Sequence, residues 1–179
     1  MPRRSHEETW EEITHDYHNL RNLVENSVSI RNFVFKCQDI VNDKLTMDRE
    51  YYKSAKRFLL ITKLLHIRPE TRVKLIAALK RIPNFHRPYR DLPRHEQSVM
   101  QSNVRAVLEM AEYRNLHLNL GFLLEFSEYI FTKRFKYNSH ILYQLRKREN
   151  ANRTRRTQSM QLEEESDYYY TSDEDPWPQ

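Results

Sequence analysis

Residues 46–65 read TMDREYYKSAKRFLLITKLL, and the spacing of their apolar positions decides the fold class. Tyr51, Ala55, Phe58, Leu59, Thr62 and Leu65 recur at steps of three and four, which puts them on one face of an α-helix. Tyr52, Leu60 and Leu64 widen that face, and a stripe this broad predicts a helix packed against more than one neighbour. Thr46 and Asp48 carry side-chain oxygens that can accept from the unsatisfied amides of a first turn, so the helix is expected to open there.

The flanking sequence repeats the pattern. Upstream, Ser29 can cap a helix whose Ile30, Phe33, Val34, Cys37, Ile40 and Val41 form a buried stripe ending near Asn42. Ser5-His6-Glu7-Glu8 has the form of a capping box, and Trp10, Ile13, Tyr17, Leu20 and Leu23 predict a first helix running to about Asn26. Downstream, Pro69 suits a first helical turn, and Val73, Leu75, Ile76, Leu79 and Ile82 predict a helix that stops before Pro83. Pro83, Pro88 and Pro93 make Ile82–Glu96 a loop. Met100, Val104, Val107, Leu108 and Ala111 predict a helix from about Gln97 to Arg114. Leu116–Phe135 is apolar almost all round, as a helix enclosed by others would be, although its first seven residues alternate like a strand. Ile141, Leu142 and Leu145 mark a last short helix that runs out into Arg146-Lys147-Arg148. Beyond Glu149 there is too little apolar surface to offset ordering entropy. The expectation is one all-α domain over residues 1–149 and a disordered tail over 150–179, basic first and then acidic.

Composition narrows the function classes. The chain has 179 residues and a single glycine, which disfavours hairpin turns and phosphate-cradling loops, both dependent on glycine. One cysteine, Cys37, allows no intramolecular disulfide, and its place in an apolar stripe predicts an inert buried thiol. Met1 to His6 contain Pro2, Arg3 and Arg4 with no apolar run behind them, so no secretory signal and no spanning helix are expected. From Arg146 onward six basic residues face eight acidic ones, leaving the body more basic than the overall +5. Those body cations are spread over nearly every predicted helix and form no aromatic-interleaved stripe, as expected of solvated faces.

The residues offer little chemistry. His15 and His18 could begin a metal site, but no second ligand pair follows at defined spacing. No nucleophile elbow, phosphate-binding loop or zinc-protease helix motif is present. The carboxylates Glu163–Glu165 and Asp173–Asp175 fall in the tail, where no scaffold can separate their pKa values, and Ser172 beside them resembles an acidic-directed kinase site. The expectation is a protein without catalytic activity, metal or cofactor.

Two segments carry a resemblance. Residues 16–27, DYHNLRNLVENS, and residues 117–126, HLNLGFLLEF, are similar to the opening helix and to a glycine-containing segment of the adenovirus early region 1B small T-antigens, viral apoptosis inhibitors of the Bcl-2 type. The single glycine, Gly121, falls on that family's glycine. Val104-Arg105-Ala106 matches the family's Gly-Arg-Ala step without its glycine. The resemblance implies a Bcl-2-like bundle around a central apolar helix, with a groove that takes the amphipathic BH3 helix of host pro-apoptotic proteins. Its implied walls here are Leu64, Leu75, Ile76, Leu79, Val104 and Leu108, with Arg105 pairing the ligand's aspartate. It also implies a place in the host cytoplasm or on mitochondrial or nuclear-envelope membranes. A viral helical nucleic-acid-binding protein or a self-associating scaffold is the alternative, the first with steeply salt-dependent binding and the second with concentration-dependent assembly.

Overall fold

A computed structural model of the chain describes residues 7–43 and 48–159. Among the described residues there are eight α-helices and no strand. They are α1 (Trp10–Asn19), α2 (Arg21–Asn26), α3 (Ile30–Asn42), α4 (Arg49–Leu65), α5 (Pro69–Lys80), α6 (Arg94–Leu108), α7 (Leu120–Glu125) and α8 (Lys133–Ser159). Single 3-10 turns occur at Tyr89–Asp91, Arg114–Leu116 and Tyr129–Phe131.

The helix read from the opening stretch, α4, is the central one. It packs against α1, α3, α7 and α8, and Ser54, Ala55, Phe58, Leu60, Ile61, Thr62, Leu64 and Leu65 are all buried. Phe33 of α3 meets Phe58 edge to face at 5.1 Å, a geometry that aligns ring edge with ring face. Asp48 caps α4 by accepting from the Glu50 amide at 2.9 Å; Thr46 lies outside the described residues. Ser29 caps α3 through the Asn32 amide at 3.0 Å, and Pro69 opens α5 at its first turn. Cys37 is fully buried, and that burial pushes its thiol far above the ordinary range.

Other expectations are corrected. The capping box is formed by Thr9 and Glu12, through Glu12 N–Thr9 Oγ1 at 3.2 Å and Thr9 N–Glu12 Oε1 at 2.9 Å. Ser5 and His6 lie outside the described residues. The first helix breaks at Leu20, whose φ of −115° and ψ of 19° leave the helical region. Pro93 starts α6 earlier than expected, and α6 ends at Leu108.

The largest correction concerns Leu116–Phe135, which is no enclosed helix. Asn119 caps α7 by accepting from the Phe122 amide at 2.9 Å, α7 ends at Glu125, and Thr132 Oγ1 accepts from the Phe135 amide at 3.2 Å to start α8. The caps divide the segment, whose pieces pack against α6, α4 and α8 and bury Leu123, Leu124, Phe126, Tyr129 and Ile130 while Leu116, Leu118, Leu120, Phe122 and Phe131 stay partly open. The last helix runs past Glu149 to Ser159, a stretch in which helix formers such as Ala151, Arg153 and Arg155 alternate with weaker ones and neither glycine nor proline interrupts. Ser172 and the acidic clusters of the tail lie outside the described residues.

One buried charge joins these helices. Asp16 of α1 is fully buried. Its Oδ1 accepts from Ser54 Oγ at 2.8 Å and Arg57 Nη1 at 2.9 Å, both on α4. Its Oδ2 accepts from Asn138 Nδ2 of α8 at 2.9 Å, with Arg134 Nε at 3.9 Å. Asn138 Nδ2 also donates to the Tyr129 hydroxyl at 2.7 Å. Burial, followed by the charge of Asp16, pushes the Tyr129 phenol well above its ordinary value. A carboxylate out of water is tolerated only with this number of donors around it. Asp16→Ala strands Arg57 and Asn138, and is expected to lower the unfolding free energy by about 3–5 kcal/mol in urea titration; a loss below about 1 kcal/mol would show that the network does not organise the bundle.

Candidate functional site

The residues expected to wall the groove separate into two sets. Leu64, Leu75, Leu79 and Val104 are fully buried and belong to the core, whereas Ile76 and Leu108 are half-buried. Arg105 is exposed and makes no ion pair or side-chain hydrogen bond among the described residues. Arg105 therefore stands apart from the buried residues expected to wall the groove with it. It shares a face of α6 with Gln101 and Leu108, four residues before and three after.

Gln101 leads to the open concavity. A cleft of about 520 Å³ lies between α4, the proline loop, α6 and the α7 segment. Lys53 and Arg57 rise from α4, Pro88 to Asp91 form one rim, and Gly121, Leu124, Phe126 and Glu128 form the other.

Local chemistry holds these walls in place. Asn84 takes a left-handed φ of 67°, which asparagine tolerates better than most residues, and its amide donates to Glu96 at 3.1 Å. Gln97 Nε2 donates to the Tyr89 carbonyl at 2.9 Å. Ser127 Oγ donates to the Arg87 carbonyl at 3.0 Å and ties the proline loop to the α7 segment. On the opposite rim, a Cβ on Gly121 would come within 3.1 Å of Asn119 Oδ1, the same atom that caps α7. The one glycine therefore leaves room for the cap and presents bare backbone to the cleft.

The floor combines cations with aromatic rings. The Arg57 guanidinium carbon lies 5.5 Å from the Phe126 ring centre and 5.4 Å from that of Tyr129, while Nη1 reaches Asp16. Lys56 Nζ pairs with Glu125 Oε1 at 2.9 Å and sits 4.6 Å from the Tyr52 ring centre. Since Lys56 is on α4 and Glu125 on α7, this pair anchors the far rim. Glu128 stands exposed at the rim, and the part of its carboxyl that the cleft covers raises it modestly, opposed by the charge of Arg57.

The arrangement suits binding by shape, apolar contact and paired charges. His15 Nε2 lies 3.0 Å from Glu50 Oε1, and His18 is exposed; no cluster of three or more metal-ligating side chains occurs among the described residues. No described helix is long and apolar enough to cross a membrane. Sequence reasoning missed Lys53, Arg57 and the proline loop as cleft residues. The available signal was a pair of cations inside the broadest apolar stripe of the chain.

The raised Glu128 carboxyl makes the folded state hold its proton more tightly than the unfolded one. This contribution favours the fold at low pH and is lost as pH rises through the window just above the ordinary glutamate range. Glu128→Gln is expected to flatten that decline and raise the urea midpoint at neutral pH. An unchanged pH profile would place the carboxyl in water. Compared with known proteins, the chain matches no family model, no curated protein and no solved structure.

Proposed function

We propose that this chain is an anti-apoptotic protein of the Bcl-2 type. It sequesters host pro-apoptotic proteins by taking their amphipathic BH3 helix across the cleft and the adjoining face of α6. The observation that carries this reading is the meeting of the two family-like segments at one side chain. Arg57 pairs with Asp16 of the first segment at 2.9 Å and lies under Phe126 of the second at 5.5 Å. The all-α fold around α4 is compatible with the reading.

Helix-in-groove recognition needs apolar pockets at helical spacing and a charge that sets the register. The cleft supplies Tyr89, Leu124 and Phe126. One turn further along α6, Arg105 supplies an exposed cation that the fold does not engage. In fluorescence titration, labelled BH3 helices are expected to bind and scrambled versions are not. Arg105→Ala should weaken binding by about tenfold or more, ~1.4 kcal/mol, with a shallow salt dependence. A broad panel of BH3 helices failing to bind the folded protein would overturn the proposed function; binding indifferent to Arg105→Ala would overturn only the assignment of that residue.

A further inference from the structure

The charge of the molecule is concentrated in one helix. Between Lys133 and Arg155, α8 carries eight lysines and arginines and one acid, Glu149, a net of +7 against +5 for the whole chain. Arg134 and Arg148 are bound to backbone carbonyls of the α1–α2 region. Arg134 Nε donates to the Glu12 carbonyl at 2.8 Å, and Arg148 Nη1 donates to the Val24 and Ser27 carbonyls at 3.3 and 2.9 Å, closing the end of α2. Lys133, Lys136, Lys147 and Arg155 stand exposed.

Aromatic rings share a side of α8 with those cations, which corrects the expectation that the cations form no stripe with aromatic residues. Tyr137, His140, Tyr143 and Lys147 follow one another along α8 at steps of three and four, so they form one stripe. His140 and Tyr143 have ring centres 6.5 Å apart, and Lys147 Nζ lies 5.3 Å from the Tyr143 ring centre. Packing of α1 beside α8 widens the stripe: Trp10 and Tyr17 meet Tyr137 edge to face at 5.7 and 6.2 Å. Trp10 is 68% exposed, the most open large apolar side chain described. Of the acids on or beside α1 and α2, Glu25 is engaged by Arg21 and the Tyr17 hydroxyl, Glu8 accepts from the Lys133 amide, and Glu11 is exposed.

We propose that the joint face of α1 and α8 is a binding track for a single-stranded polynucleotide, with lysines on its phosphates and Trp10, Tyr137 and Tyr143 against its bases. Rings interleaved with cations are the combination that recognises unpaired strands, because an unstacked base offers a flat face and its phosphate a charge. A duplex hides those faces. A lipid surface is a poorer fit, since it needs an apolar face to bury; the aliphatic residues of α8, Ile141, Leu142 and Leu145, are all committed to the core. At 1.5 Å per residue the stretch from Lys133 to Arg155 spans roughly 33 Å, a length suited to a few nucleotides of extended strand. None of these residues lines the cleft, so this inference is independent of BH3 binding.

The test is fluorescence anisotropy of the full chain with a labelled oligouridylate of about fifteen nucleotides, between about 50 and 200 mM salt. Binding should weaken steeply with salt. Trp10→Ala should weaken it by about fivefold to a hundredfold with the salt slope unchanged. Lys136→Gln with Lys147→Gln should reduce the slope by about 1.4, two phosphates' share. All three positions are at or near the surface, and circular dichroism and the urea midpoint verify that the variants fold. Four outcomes would overturn the proposal: no binding at the low-salt end, equally tight binding of a duplex, affinity indifferent to Trp10→Ala, or binding to phosphatidylserine vesicles without binding to the oligonucleotide.

Discussion

The bundle depends on a carboxylate that water does not reach. Asp16 takes hydrogen bonds from Ser54, Arg57 and Asn138, so α1, α4 and α8 can come together only in the one arrangement that surrounds it with donors. Apolar packing alone is permissive, because many pairings of helical stripes bury similar area. A buried charge is selective, since any pairing that leaves it without donors is heavily penalised. Arg57 also sits at the cleft floor between the rings of Phe126 and Tyr129, so the constraint that orders the core also shapes the floor of the cleft.

The cleft owes its shape to segments that are not long helices. The proline loop cannot continue a helix, and its carbonyls are taken up by Gln97 and Ser127. The α7 segment is cut short by its own caps and held to α4 by Lys56 and Glu125. Short, capped pieces expose more backbone and more edge than a continuous helix would. Both rims of the concavity are built from them.

Electrostatics is divided in a similar way. Some cations of α8 are structural: Arg148 neutralises the carbonyl end of α2, where a helix dipole favours positive charge. Arg134 approaches Asp16 from α8. Lys133, Lys136, Lys147 and Arg155 are exposed, and Lys147 lies beside the Tyr143 ring. The run Arg146-Lys147-Arg148 therefore mixes a tertiary clip with exposed charge, and composition alone does not separate the two.

The all-α class, the caps at Ser29 and Asp48, the opening of α5 at Pro69 and the breadth of the α4 stripe were legible in the sequence, because each rests on interactions between residues within about one turn of one another. The break-up of Leu116–Phe135 was half legible: the alternating start and the capping types Asn119 and Thr132 were present, but apolarity on all sides pointed to enclosure and outweighed them. Only the tertiary structure decided that Leu64, Leu75, Leu79 and Val104 are core while Ile76 and Leu108 remain partly open, since helical periodicity says that a face is covered and not by what. It alone placed Arg57 beneath Phe126 and Trp10 beside Tyr137. Those partners are separated in the chain by 69 and 127 residues, and no local pattern records a contact that exists only after the helices have packed around Asp16.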